Sequence, residues 1–149
     1  MGAKKFVLFG SCGVLDDDKV KDRIIVPVSA VRDEGTSYHY IAPSEEIKAS
    51  EHSIRILQNV LEFCGYSYVK GKTWTSDAIY RETIPAIEER RQEAVLRLKW
   101  NVHLCLAVSQ YRQVHLYNFC MGRIVSVRKN GKFEIWNCMD LRMLRNTCC

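Results

Sequence analysis

The chain has 149 residues, 47% of them apolar, and a formal net charge of +5. That length suits one domain and that composition a packed core, which excludes disorder as a reading of the whole chain. No apolar run approaches the ~20 residues that span a bilayer, and the stretch Lys5–Gly10 is too short for a secretory signal, so a cytoplasmic chain without membrane contact is expected.

The charge is unevenly placed. Residues 1–93 hold 13 Lys and Arg against 15 Asp and Glu, whereas residues 94–149 hold 9 against 2. Cysteines follow the same division: Cys12 and Cys64 precede the break, and Cys105, Cys120, Cys138, Cys148 and Cys149 follow it. An odd total without a signal peptide argues against a disulfide framework, and no Cys/His spacing suits zinc, so no metal is expected.

In chain order, Lys5-Phe6-Val7-Leu8-Phe9 reads as a buried strand stopped by a tight turn at Gly10-Ser11-Cys12-Gly13. Asp16-Asp17-Asp18 reads as a solvated turn. Arg23–Val28 reads as a second strand, with an irregularity near Pro27. Residues 31–40 are too polar for a core element and read as a loop or irregular strand. Ser44-Glu45-Glu46 resembles a helix start, and Ile54, Leu57, Val60 and Leu61 recur at helical spacing up to Gly65, which predicts a helix over 45–64. A third strand is expected over 66–70 and a second main helix over 82–93, with Pro85 in its first turn. Strands alternating with helices imply an α/β fold with a mixed, largely parallel sheet.

Chemistry in such sheets gathers at strand ends. Glycines at 10 and 13 let an anion approach the backbone, and Ser11 adds a hydroxyl donor; a plain structural turn is the simpler alternative. Cys12 has no histidine nearby in sequence to activate it as a nucleophile. His39, between Tyr38 and Tyr40, suits either proton transfer or a surface position. Trp74 in the Trp74-Thr75-Ser76-Asp77 stretch could stack on a planar ligand or belong to the core, and Asp77 could fix a backbone turn. Three such loops point to one small-molecule pocket.

Three strings in order, Lys4–Gly13, Glu34-Gly35-Thr36-Ser37-Tyr38-His39-Tyr40 and Thr73-Trp74-Thr75-Ser76-Asp77-Ala78-Ile79-Tyr80-Arg81-Glu82, resemble the nucleoside phosphorylase superfamily, which holds uridine and purine nucleoside phosphorylases. The resemblance covers residues 2–95 and 106–119. It implies a partial three-layer αβα fold, no organic cofactor and a homo-oligomer. It also implies phosphorolysis, in which a nucleoside and inorganic phosphate give free base and pentose 1-phosphate, with a slight lean toward uridine. Ser11 resembles the family's phosphate-binding hydroxyl. Cys12 and Gly13 resemble positions bordering ribose and base, and Trp74 and Ile79 resemble positions beside the base. Leu8 stands where many members carry an arginine for phosphate.

The resemblance also implies two or three strands ahead of Met1, and a ribose-gripping Glu-Met-Glu segment where this chain reads Leu98–Cys105. Suitable codons for residues 96–105, and again from Cys120, recover family-like residues in a shifted frame. That divides the chain into a partial phosphorylase domain over 1–119 and an aberrant basic, Cys-rich tail over 120–149, whose removal is expected to leave folding no worse. A short hairpin around Asn130-Gly131 is expected in the tail. With those parts displaced, little phosphorolysis is expected. The competing readings are a non-catalytic fragment and a nucleic-acid-binding module in which Lys and Arg of 94–149 interleave with aromatic residues; no RNA-binding motif supports the latter.

Overall fold

The computed structural model describes residues 2–78, 82–98 and 102–123. Six strands, β1 (Lys5–Val14), β2 (Ile24–Asp33), β3 (Glu46–Lys48), β4 (Tyr68–Ser76), β5 (Val95–Leu98) and β6 (His115–Arg123), form one mixed sheet in the order β3-β2-β4-β5-β1-β6. Its helices are the short α1 (Asp17–Val20), α2 (Glu51–Phe63), α3 (Ile84–Gln92) and α4 (Val102–Tyr111). The pairs β1–β6, β2–β4 and β4–β5 run parallel, and β1–β5, β2–β3 and β2–β6 antiparallel. Because Ile24 and Ile25 pair with Met121 and Cys120, the sheet curls until β6 meets β2.

Helices cover both faces. Leu57 and Leu61 of α2, one turn apart, pack on Val26 and Tyr117, while Val102 and Leu106 of α4, also one turn apart, pack on Ala30 and Ile47 with Leu116 beside them. Tyr117 and Leu116 are consecutive, so they point to opposite faces as a strand requires. Val26 and Ala30 are four apart and would share a face in a regular strand. They do not, because the β2–β4 register slips between Pro27 and Ser29. One extra residue there reverses the alternation, so the first half of β2 serves the α2 layer and the second half the α4 layer. The irregularity expected near Pro27 is this bulge.

Helix α2 ends as its sequence dictates. Gly65 has φ +72, which a side chain would strain, and the N–H groups of Cys64, Gly65 and Tyr66 return to carbonyls of the last turn. Pro85 stands in the first turn of α3, where its missing N–H is harmless.

Several local readings change. The strand over Lys5–Phe9 is not buried, with Phe6, Val7 and Phe9 exposed on β1. Trp74, Thr75 and Ser76 complete β4 instead of forming a loop after it. Gly10-Ser11-Cys12-Gly13 is not a turn: β1 continues through it to Val14, because β6 pairs alongside as far as Gly13 and β5 joins at Gly13 and Val14. The expected helix over 45–64 starts only at Glu51. Glu46–Lys48 becomes an edge strand instead, since Ile47, 2% exposed, docks in the α4 layer beside Ala30. Residues 31–33 complete β2, and Thr36–His39 form a single 3-10 turn. Asp17–Val20 form a helical turn, with the Asp16 carboxylate accepting the Lys19 N–H at 3.3 Å.

Helix α4 runs across the 105/106 boundary between shifted and in-frame readings, with Val102 fully buried. Strand β6 likewise continues past Phe119 to Arg123, and Cys120 is 1% exposed. Residue 120 therefore lies inside the sheet, and a cut there would pass through β6. The hairpin expected near Asn130-Gly131 lies outside the described residues.

Candidate functional site

The register brings the sequence-predicted strings to one level of the sheet. Trp74 of β4 faces Leu98, the last residue of β5, and Leu98 faces Gly13 of β1. Since β1 runs against β5 and β4 runs with it, Ser11 and Ser76 both lie two residues beyond that row, in the same direction. Asp33 of β2 faces Ser76, so it shares their level. β5 lies between β1 and β4 in the sheet. Ligands in open α/β sheets favour the ends of strands.

Ser11 is exposed, Cys12 is 5% exposed and turned to the interior, and Gly13 is half-buried. Among the described residues, β1 from Lys5 to Cys12 has ladder partners on its β6 side only. Its N–H groups on the other edge, together with the Ser11 hydroxyl, are donors of the kind that hold an anion.

Trp74 is 2% exposed and packs with Leu15, Val31, Ile87 and Val95, so the ring belongs to the core. Its indole Nε1 donates to Asp33 Oδ2 at 2.9 Å, which fixes that carboxylate at the strand-end level. Asp77 Oδ2 accepts the Gly35 N–H at 3.4 Å, tying the loop after β4 to the loop after β2. Ile79 lies outside the described residues.

Sequence reasoning missed a polar cluster that stands at the same end. Arg32, 6% exposed, donates from Nε to Ser37 Oγ at 2.9 Å and from Nη1 to the Ala42 carbonyl at 2.7 Å and Ser44 Oγ at 3.0 Å. Its guanidinium also covers the Tyr38 ring at 3.8 Å. The loop 34–44 is thus braced on one buried cation. Glu34 accepts from the Ser37 N–H at 2.9 Å and from the Ser37 hydroxyl, and its Oε2 meets His103 Nε2 at 3.2 Å. Burial pushes the Glu34 carboxyl up, but the Ser37 hydrogen bonds and His103 together outweigh it, so its pKa lies below the usual range. Burial lowers His103 more than Glu34 raises it. Neutral His103 therefore presents Nε2–H to Glu34, and its Nδ1 is buried without a hydrogen-bond partner among the described residues. Burial, then the charge of Asp33, raises Glu82, and a carboxyl that holds its proton to higher pH can donate a proton or hydrogen bond. The only signal for this cluster was the Glu34–Tyr40 string; nothing local links Glu34 to His103, 69 positions away. His39 lies exposed in the 3-10 turn.

Among the described residues, no group of three or more His, Cys, Asp or Glu could hold a metal ion, and no helix is long and apolar enough to cross a membrane.

Comparison with known proteins adds the family. The model of the phosphorylase superfamily matches residues 1–105. No curated protein sequence matches. Among solved structures, purine nucleoside phosphorylase from Toxoplasma gondii in complex with immucillin-H is similar with a TM-score of 0.72 and 21% identity, over 82% of this chain and 50% of that one. The P. knowlesi homolog of P. falciparum PNP gives 0.71 and 24%, over 81% and 52%. AMP nucleosidase from Bacteroides thetaiotaomicron gives 0.71 and 18%, over 80% and 53%. The chain therefore spans about half the length of these structures. These neighbours are purine-type, whereas the sequence strings leaned toward uridine. With the matched residues covering most of the described sheet, the chain belongs to the phosphorylase superfamily.

Proposed function

We propose that the chain performs phosphate-dependent cleavage of the N-glycosidic bond of a nucleoside, giving free base and pentose 1-phosphate. The observation that carries this reading is the common level of Ser11, Ser76 and Asp33 in the sheet. In this reading the Ser11 hydroxyl and backbone N–H groups of β1 hold inorganic phosphate. The backbone at Cys12 and Gly13 borders the sugar. The base lies toward the Trp74 and Ile79 segment, with Trp74 acting through the Asp33 carboxylate it positions. A phosphate oxygen bonds to C1′ while the C1′–N bond breaks, and the electron pair leaves with the base, which takes up a proton. Glu82 is the carboxyl suited to supply it.

Positioning and electrostatic stabilisation carry such a transfer. Ser11 is exposed, so water competes for the phosphate site and turnover is slow. No organic cofactor enters this reaction. The reading includes a homo-oligomer, for which exposed Phe6, Val7 and Phe9 of β1 offer apolar surface.

The test is base release from uridine, inosine and adenosine, each with and without inorganic phosphate, followed by chromatography. Release that requires phosphate supports the reading, and its ranking gives the base preference. Release that ignores phosphate would make the chain a hydrolase, and no release from any substrate would overturn the catalytic assignment.

A further inference from the structure

Inside the curled part of the sheet two thiols meet. Cys12 of β1 and Cys120 of β6 are 5% and 1% exposed, and their Sγ atoms stand 2.8 Å apart. The register explains the encounter. Gly10 faces Cys120 and Gly122 faces Cys12, so the cysteines occupy one diagonal of one face, and neither directly opposed residue has a side chain to separate them. Val14, Val20 and Ile25 close the same cluster.

The separation selects the chemistry. Two thiolates bound to one tetrahedral metal at ~2.3 Å each would stand about 3.8 Å apart, too far for this contact. A disulfide needs about 2.05 Å, so the sulfurs must close by less than 1 Å. Local opening of the sheet admits a small oxidant to such a buried pair.

We propose that Cys12 and Cys120 form a redox-modification site, converted by hydrogen peroxide into a reversible disulfide that fastens β1 to β6. One thiolate attacks a peroxide oxygen, the O–O bond breaks, and a sulfenic acid forms with release of water after proton uptake. The second thiol then attacks that sulfur, the S–O bond breaks, and a second water leaves. Two thiols lose two electrons, and the peroxide gains them. Held in contact, the second thiol outcompetes further oxidation of the first. The bond would tether the strand that carries Ser11 and Gly13, and it forms whether or not that strand binds a nucleoside.

The chain suits a direct test, because tryptic cleavage places each cysteine alone in its peptide: Phe6–Lys19 carries Cys12 and Gln113–Arg123 carries Cys120. The full chain is treated with graded hydrogen peroxide, quenched in acid, unfolded, alkylated and analysed by mass spectrometry. The expected product is those two peptides joined with loss of two hydrogens and separated again by dithiothreitol. The oxidised chain should also melt about 5 °C or more above the reduced one, because the bond closes a long loop. Cys120→Ala should lose both effects; if it fails to fold by circular dichroism, Cys120→Ser or Cys12→Ala replaces it. The proposal is overturned if both peptides are recovered alkylated at peroxide levels that oxidise exposed Cys64. It is equally overturned if Cys12 appears as sulfinic acid or is joined to another cysteine.

Discussion

Glu34 and His103 meet at 3.2 Å with side chains 3% and 4% exposed, and this contact fastens α4 to the loop that follows β2. Their protonation makes the fastening sensitive to acid. The folded chain holds the His103 proton less tightly than the unfolded chain does, so His103 favours folding above about pH 6.5 and that contribution is lost as pH falls. Glu34, whose pKa is lowered, adds stability that is lost only at still lower pH. Glu82 has the opposite sign, since its raised pKa favours the folded state as pH falls. His103→Gln keeps a donor for Glu34 and should flatten the melting-temperature profile between pH 7 and 5.5, whereas Glu82→Gln should steepen it. Thermal melts across that range read both.

Trp74→Phe separates the indole hydrogen bond from the bulk of the ring. Asp33 is exposed, so water replaces the lost donor, and the cost should be about 1 kcal/mol. Trp74→Ala also empties a core position and should cost ~3–5 kcal/mol. Urea unfolding of both variants checks the difference; equal losses would mean that the hydrogen bond, not packing, dominates.

Gly71 is required by its neighbour rather than by its backbone. A Cβ there would stand 2.6 Å from Leu96 Cγ and collide with Leu96 Cδ1, and Leu96 is only 4% exposed. Gly71→Ala should destabilise by about 1–3 kcal/mol. Adding Leu96→Ala should cost less in that background than alone, a coupling that a double-mutant cycle by denaturant unfolding would reveal.

A chain ended after Phe119 loses Cys120 and Met121, which pair with both β1 and β2; one ended after Arg123 keeps them. The shorter chain should melt on the order of 5–10 °C below the longer. Equal melting temperatures would mean that the end of β6 adds nothing to the sheet.

Ser11→Ala tests the phosphate site. Loss of one hydrogen bond to a charged oxygen should raise the phosphate KM about tenfold or more. Because Ser11 is exposed, the melting temperature should not change. Steady-state kinetics at varied phosphate, beside a thermal melt, measures both.

Local order was legible in the sequence. Leu57 and Leu61 marked the buried stripe of α2, Gly65 its end, Pro85 the start of α3, and Pro27 the break in β2, because each rests on a periodicity or a backbone restriction within a few residues. The strings around Ser11 and Trp74 also identified the family. Tertiary structure alone decided what distant segments did to one another. Gly10–Gly13 has the composition of a turn but is held extended by β6, and Glu46–Lys48 follows an acidic helix-start pattern but is drawn into the sheet by Ile47. The Glu34–His103 pair, the Trp74–Asp33 bond and the Cys12–Cys120 contact join residues 69, 41 and 108 positions apart. No local pattern encodes such meetings, because strand order and register come from packing both faces of a whole sheet at once.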